Sequence, residues 1–123
     1  SWRCAHGAVI PQPLMPELIP GDEQGFAVLV QWPSAAHASA YIIELRGVGS
    51  ARTERFVRSA PAVAAGALVE LRVGGLVPGS TYEAQVRCVG ACGCESAPSA
   101  IGYSAPLGMA ANAAQAALDQ AGK

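Results

Sequence analysis

The chain has 123 residues, of which 51% are hydrophobic and only 14% charged, and its formal net charge is −1. One domain is the natural expectation at this length. Near-neutrality argues against a general electrostatic grip on nucleic acid, and no apolar run is long enough to cross a bilayer, so neither a specific nucleic-acid partner nor membrane insertion is expected.

Residues 1–10 carry no clear period. The chain opens on Ser1-Trp2-Arg3-Cys4 without an initiating Met, and it reads as a piece of a longer protein whose first ten residues are a linker or the end of a preceding segment. Pro11, Pro13, Pro16 and Pro20 follow closely. Proline has no N–H to give to a ladder, so this stretch suits an edge strand or an extended entry segment. The stretch from Gly21 to Gly25 is a turn. From Phe26 to Trp32 the residues alternate, with Phe26, Val28, Val30 and Trp32 on one face of a predicted strand. Pro33 to Ala40 is a small-residue loop containing His37. Tyr41 to Leu45 is a second alternating strand, with Tyr41, Ile43 and Leu45 facing one way.

After the Gly47–Ser50 turn, Arg52 to Ser59 reads as a short strand of mixed exposure. The Ala-rich stretch to Gly66 is a loop or weak edge, and Ala67 to Val73 alternates again. Leu76 to Cys88 opens on the turn Pro78-Gly79 and then alternates strictly, with Tyr82, Ala84, Val86 and Cys88 on one face. A tyrosine at that position can bury its ring and return its hydroxyl to upstream backbone, the tyrosine corner of sandwich domains. Gly90 to Pro98 is a loop, and Ile101 to Ser104 a last short strand. Short strands divided by Gly and Pro turns predict two stacked antiparallel sheets, because one sheet alone would leave its apolar face in water. Trp32, Tyr41, Leu76, Tyr82, Val86 and Cys88 are the expected core. The Ala-rich stretch 107–123 is read as a helical or disordered tail.

Five segments in order resemble a fibronectin type III domain. The entry prolines precede the first strand, and Val28-Leu29-Val30-Gln31-Trp32 is similar to the family's second strand. Tyr41-Ile42-Ile43-Glu44-Leu45 is similar to its third. Leu76-Val77-Pro78-Gly79-Ser80-Thr81-Tyr82 resembles the Leu-x-Pro-Gly-x-x-Tyr signature, and Ser96-Ala97-Pro98-Ser99 resembles the Ser-x-Pro-Ser loop. Each is weak alone; their agreement carries the weight. The resemblance covers residues 11–106 and implies a seven-stranded Greek-key, immunoglobulin-like sandwich serving as a non-enzymatic protein-interaction or spacer module. Its partners would be another protein or neighbouring domains of the same chain. An accessory domain of a larger enzyme, such as a polysaccharide hydrolase or a signalling kinase, is the alternative. The departure from the family pattern lies in the cysteines.

Cys4, Cys88, Cys92 and Cys94 do not follow a secreted small-domain framework, and they leave the compartment open. Zinc would need four N/S ligands. Cys92 and Cys94 with Cys4 or His6 are the candidates, but the spacing C-x3-C-x-C is not a usual knuckle, and alternation turns Cys88 into the core as a small hydrophobe. Exposed loop thiols at Cys92 and Cys94, or a bridge from Cys4 to one of them, are the competing readings. No Gly-x-Ser-x-Gly elbow and no Gly-x-x-x-x-Gly-Lys loop occurs, so no catalytic residue and no cofactor is expected. The loops after Trp32 and Cys88 share one end of such a sandwich, which makes His37, Gly90, Cys92, Gly93, Cys94 and Glu95 the candidate partner-binding positions. Arg46, Arg55, Arg58 and Arg87 would form a locally basic face, readable as a docking surface for an acidic protein or heparin-like polyanion. The plainer reading is a solvated sheet face of mixed charge, with Glu44, Glu54 and Glu83 interleaved.

Overall fold

The computed structural model describes residues 10–108. They form seven antiparallel strands: β1 (Glu17–Pro20), β2 (Val28–Pro33), β3 (Ala40–Gly47), β4 (Thr53–Ser59), β5 (Leu68–Val73), β6 (Tyr82–Val89) and β7 (Gly102–Tyr103). Two sheets stack, one ordered β1-β2-β5 and the other β4-β3-β6-β7. The chain crosses between sheets after β2, β4 and β5, which gives the Greek-key wiring. The Ala-rich tail, from residue 109 on, lies outside the described residues.

Alternation in the sequence becomes the sandwich interior. Val28, Val30 and Trp32 of β2 and Tyr41, Ile43 and Leu45 of β3 are buried, as are Tyr82, Ala84, Val86 and Cys88 of β6. Leu76 is buried just before β6. Trp32 lies in the three-stranded sheet and Tyr41 in the four-stranded one, and their rings meet edge to face at 5.4 Å and 67°, a favoured aromatic geometry. Trp32 Nε1 has no hydrogen-bond partner among the described residues.

Three local expectations are corrected. Phe26 is not part of β2 and is 52% exposed. Its N–H and that of Gly25 both donate to Asp22 Oδ1 at 3.0 and 2.7 Å, so an Asx-type turn governs this residue rather than the strand period. The last strand is two residues long, not four, for a reason given below. Leu107, which the sequence places in the tail, is a core residue at 2% exposure. Its N–H donates to the Ser80 carbonyl at 3.0 Å and its carbonyl accepts from Gly79 at 2.7 Å, so the sandwich continues through it. Ile10, at the other limit, also packs on the core.

Two glycines let backbone approach backbone. A Cβ at Gly102 would collide with the Pro16 carbonyl, at the seam where the entry segment crosses from one sheet to the edge of the other. Gly25, at φ 91°, sits against Leu107 and Gly108, fixing the chain's exit beside the turn after β1.

Candidate functional site

The chain enters the sandwich at one end and leaves at the other. β1 starts opposite Gln31, near the end of β2, and Gln12 Nε2 donates to the Pro98 carbonyl at 2.7 Å. The exit segment is bonded to Gly79 and Ser80, before β6 begins. The entry end gathers three loops, 34–39, 60–67 and 90–101.

Those loops are laced together. Ser34 N–H donates to Ala67 O at 2.7 Å, and Gly66 N–H to Ser34 O at 2.9 Å. Ser39 N–H donates to Val89 O at 2.7 Å, and Ala60 N–H to Ser39 O at 3.0 Å. Ala35 N–H donates to the Tyr41 hydroxyl at 2.9 Å. This is a second tyrosine bracing a loop, besides Tyr82, whose hydroxyl accepts from Val77 N–H at 2.9 Å. His37 is exposed at its loop tip with φ 64°, a left-handed conformation that costs a non-glycine residue roughly 1–2 kcal/mol.

The cysteine loop is a small hairpin. Gly90 N–H donates to Cys94 O and Gly93 N–H to Gly90 O, each at 2.9 Å, with Gly93 at φ 85°. Gly90 is buried, while Cys92, Gly93 and Glu95 are exposed and Cys94 is half-buried. The sulfurs of Cys92 and Cys94 lie 3.1 Å apart. Cys92 is disulfide-bonded, whereas Cys94 and Cys88 are free. A bridge to Cys94 is therefore not formed, and Cys92 offers no thiolate to a metal. Cys4 and His6 lie outside the described residues. Among the described residues no group of three or more His, Cys, Asp and Glu side chains is arranged to hold a metal ion. Burial pushes the Cys88 thiol up from 9.0 to about 11, so it stays protonated at neutral pH and is a poor nucleophile.

The arginines sort onto two faces. Arg46, Arg55 and Arg87 lie on the outer face of the four-stranded sheet, each beside a carboxylate: Arg46 to Glu83 at 2.7 Å, Arg87 to Glu44 at 3.2 Å and Arg55 to Glu95 at 3.8 Å. Three cations thus meet three anions, and the face carries no net positive excess from these residues. Arg58 stands opposite Tyr41 across the ladder, on the other face of β4.

Period and spacing assign no role to three buried serines. Ser96, Ser99 and Ser104 accept N–H bonds through Oγ from Cys88, Val86 and Tyr82, each at 2.9 Å. Each returns its own N–H to the carbonyl of the same residue at 2.8 Å. Side-chain oxygens thus replace backbone carbonyls along the side of β6 that faces β7, which is why β7 is so short. The Ser96-Ala97-Pro98-Ser99 motif marks two of these serines in the sequence, but not the bonds they make.

These features define an immunoglobulin-like β-sandwich whose longest loop, 90–101, lies at the entry end. More narrowly, the fold is that of fibronectin type III domains. The fold is similar to an Fn3-like protein from Clostridium thermocellum, with a TM-score of 0.57 and 17% identity over 80% of this chain and 94% of that one. It is similar to a two-domain fibronectin type III segment of chicken tenascin, with a TM-score of 0.59 and 18% identity over 79% of this chain and 50% of that one. It also matches part of a family 76 glycoside hydrolase from a bovine Bacteroides thetaiotaomicron strain, with a TM-score of 0.59 and 16% identity over 79% of this chain and 21% of that one. No protein-family model matches the sequence, and no curated protein does.

Proposed function

We propose that this domain is a non-catalytic module that spaces and docks neighbouring parts of a longer chain. The observation that carries this reading is the placement of entry and exit at opposite ends of a rigid sandwich, the entry held by the Gln12 side-chain amide on the Pro98 carbonyl and the exit by backbone hydrogen bonds. A domain wired this way sits in series between its neighbours and sets their separation by its own length. An eight-residue strand such as β3 contributes roughly 26 Å to that length. The loops at the entry end, with His37 and the Gly90–Glu95 hairpin, are the docking positions, because rigid scaffolds commonly present recognition on such loops.

The test is domain exchange in the full-length parent. Replacement by an unrelated sandwich of equal length keeps parent activity if spacing is the role, and replacement by a flexible Gly/Ser linker loses it. Full activity with the flexible linker would reject the proposal. Loss with both replacements, reversed when loops 34–39 and 90–96 are grafted onto the substitute, assigns the role to docking.

A second reading, an accessory domain of a larger enzyme, is favoured by the likeness to one portion of the glycoside hydrolase chain. Deletion of the domain would then lower turnover on polymeric substrate while leaving turnover on a small soluble substrate intact.

A further inference from the structure

The outer edge of β4 has no neighbouring strand, since β4 ends the order β4-β3-β6-β7. Its sequence, Thr53-Glu54-Arg55-Phe56-Val57-Arg58-Ser59, contains no proline and is exposed at every position except Phe56, which is half-buried. Val57 is 71% exposed. An edge of this length is a template for pairing with another strand.

The charges decide which strand. Arg55 already has Glu95. Glu54 and Arg58 form no ion pair among the described residues. They share a face with Phe56, two positions to either side of it, opposite Leu45 and Tyr41 on β3. Four residues apart on an extended strand, they are about 13 Å from each other and cannot pair internally. We propose that β4 pairs antiparallel with β4 of a second copy about a two-fold axis at Phe56, making one eight-stranded sheet.

In that register Glu54 faces Arg58 of the second copy, and the two-fold axis repeats the pair. Phe56 faces its own equivalent, Thr53 faces Ser59, and the exposed Val57 lies on the aliphatic stem of Arg55. Moving the axis to Arg55 opposes Arg55 to itself and Arg52 to Arg58. Moving it to Val57 leaves both Glu54 and Arg58 without their ionic partners. Self-complementarity about Phe56 therefore selects both the occupant and the register, as an isologous interface requires. One strand pair covers less area than a standard interface, so the association is weak and reversible.

Sedimentation of the full chain, with free thiols alkylated to exclude covalent dimers, tests this from roughly 10 µM to 1 mM. The wild type shows a concentration-dependent dimer. E54R and R58E each weaken self-association by about tenfold or more, because each opposes like charges twice. Mixed together, the two variants form a heterodimer, since one presents two arginines and the other two glutamates. The double exchange E54R/R58E restores self-association. Thermal unfolding of each variant confirms that the fold is kept. A wild type monomeric throughout, single variants that dimerise unchanged, or a mixture that fails to associate would each overturn the proposal.

Discussion

Ser99 and Val86 are joined twice: the Val86 N–H donates to Ser99 Oγ at 2.9 Å, and the Ser99 N–H donates to the Val86 carbonyl at 2.8 Å. Both residues are buried. The Ser99 hydroxyl in turn donates to the Ala100 carbonyl at 2.9 Å. Ser99→Ala leaves the Val86 N–H buried without an acceptor. Urea unfolding should show a loss of about 1–3 kcal/mol; a change within 0.5 kcal/mol, the scale of a neutral surface substitution, would show that water takes over the bond at no cost.

Tyr82 and Tyr41 tie backbone at opposite ends of the sandwich. Tyr82→Phe keeps the ring and removes only the bond to Val77, and Tyr41→Phe removes only the bond to Ala35. Each should cost about 0.5–1.5 kcal/mol. Because the two bonds share no partner, the double variant should lose close to the sum. Strong non-additivity in denaturant titrations would contradict two independent anchors.

Trp32→Ala should cost about 3–5 kcal/mol, as expected for a fully buried core aromatic. It removes the edge-to-face contact with Tyr41 as well as the ring's own burial. A loss below 1 kcal/mol would be incompatible with a ring that joins the two sheets.

Cys88 makes stability depend on pH at the alkaline end. Its thiol titrates near 11 in the folded chain against an ordinary 9.0. Between those values the unfolded chain has released the proton while the folded chain keeps it, so unfolding gains favour as pH rises. The contribution is complete below pH 9 and is lost through pH 11, on the order of 3 kcal/mol in total. Cys88→Ala should flatten that limb in pH-dependent melting. Iodoacetamide at neutral pH should spare Cys88 until denaturant is added.

Gly102→Ala should weaken the seam between the two sheets. The added methyl would meet the Pro16 carbonyl, which is backbone and cannot rotate aside. A cost of about 1–3 kcal/mol or more is expected, with faster hydrogen exchange in β1 and β7 than in β3 and β6. Unchanged exchange at β1 would show that the entry segment yields without consequence.

Period-two patterning made most of this fold readable. Val28 to Trp32, Tyr41 to Leu45 and Tyr82 to Cys88 each bury one face, and alternation states which face that is. The pattern fails where side chains or turns take over the backbone's bonds. Phe26 follows the alternation by residue type, yet Asp22 holds its N–H in a turn and leaves the ring exposed. The edge after Cys88 carries no alternation, because serine hydroxyls rather than a continuous strand satisfy β6 there.

Local alternation and turn chemistry between near neighbours specify the sandwich, its core aromatics and the Pro78-Gly79 corner. The charges and the thiols are settled by contacts between residues far apart in the chain. Arg46 and Arg87 stand beside carboxylates because strand register sets them against Glu83 and Glu44, partners about forty positions away. Glu54 and Arg58 are left over because β4 is an edge. Cys88 is inert because a second sheet covers it. Register and stacking arise between residues distant in the chain, and no local period encodes them.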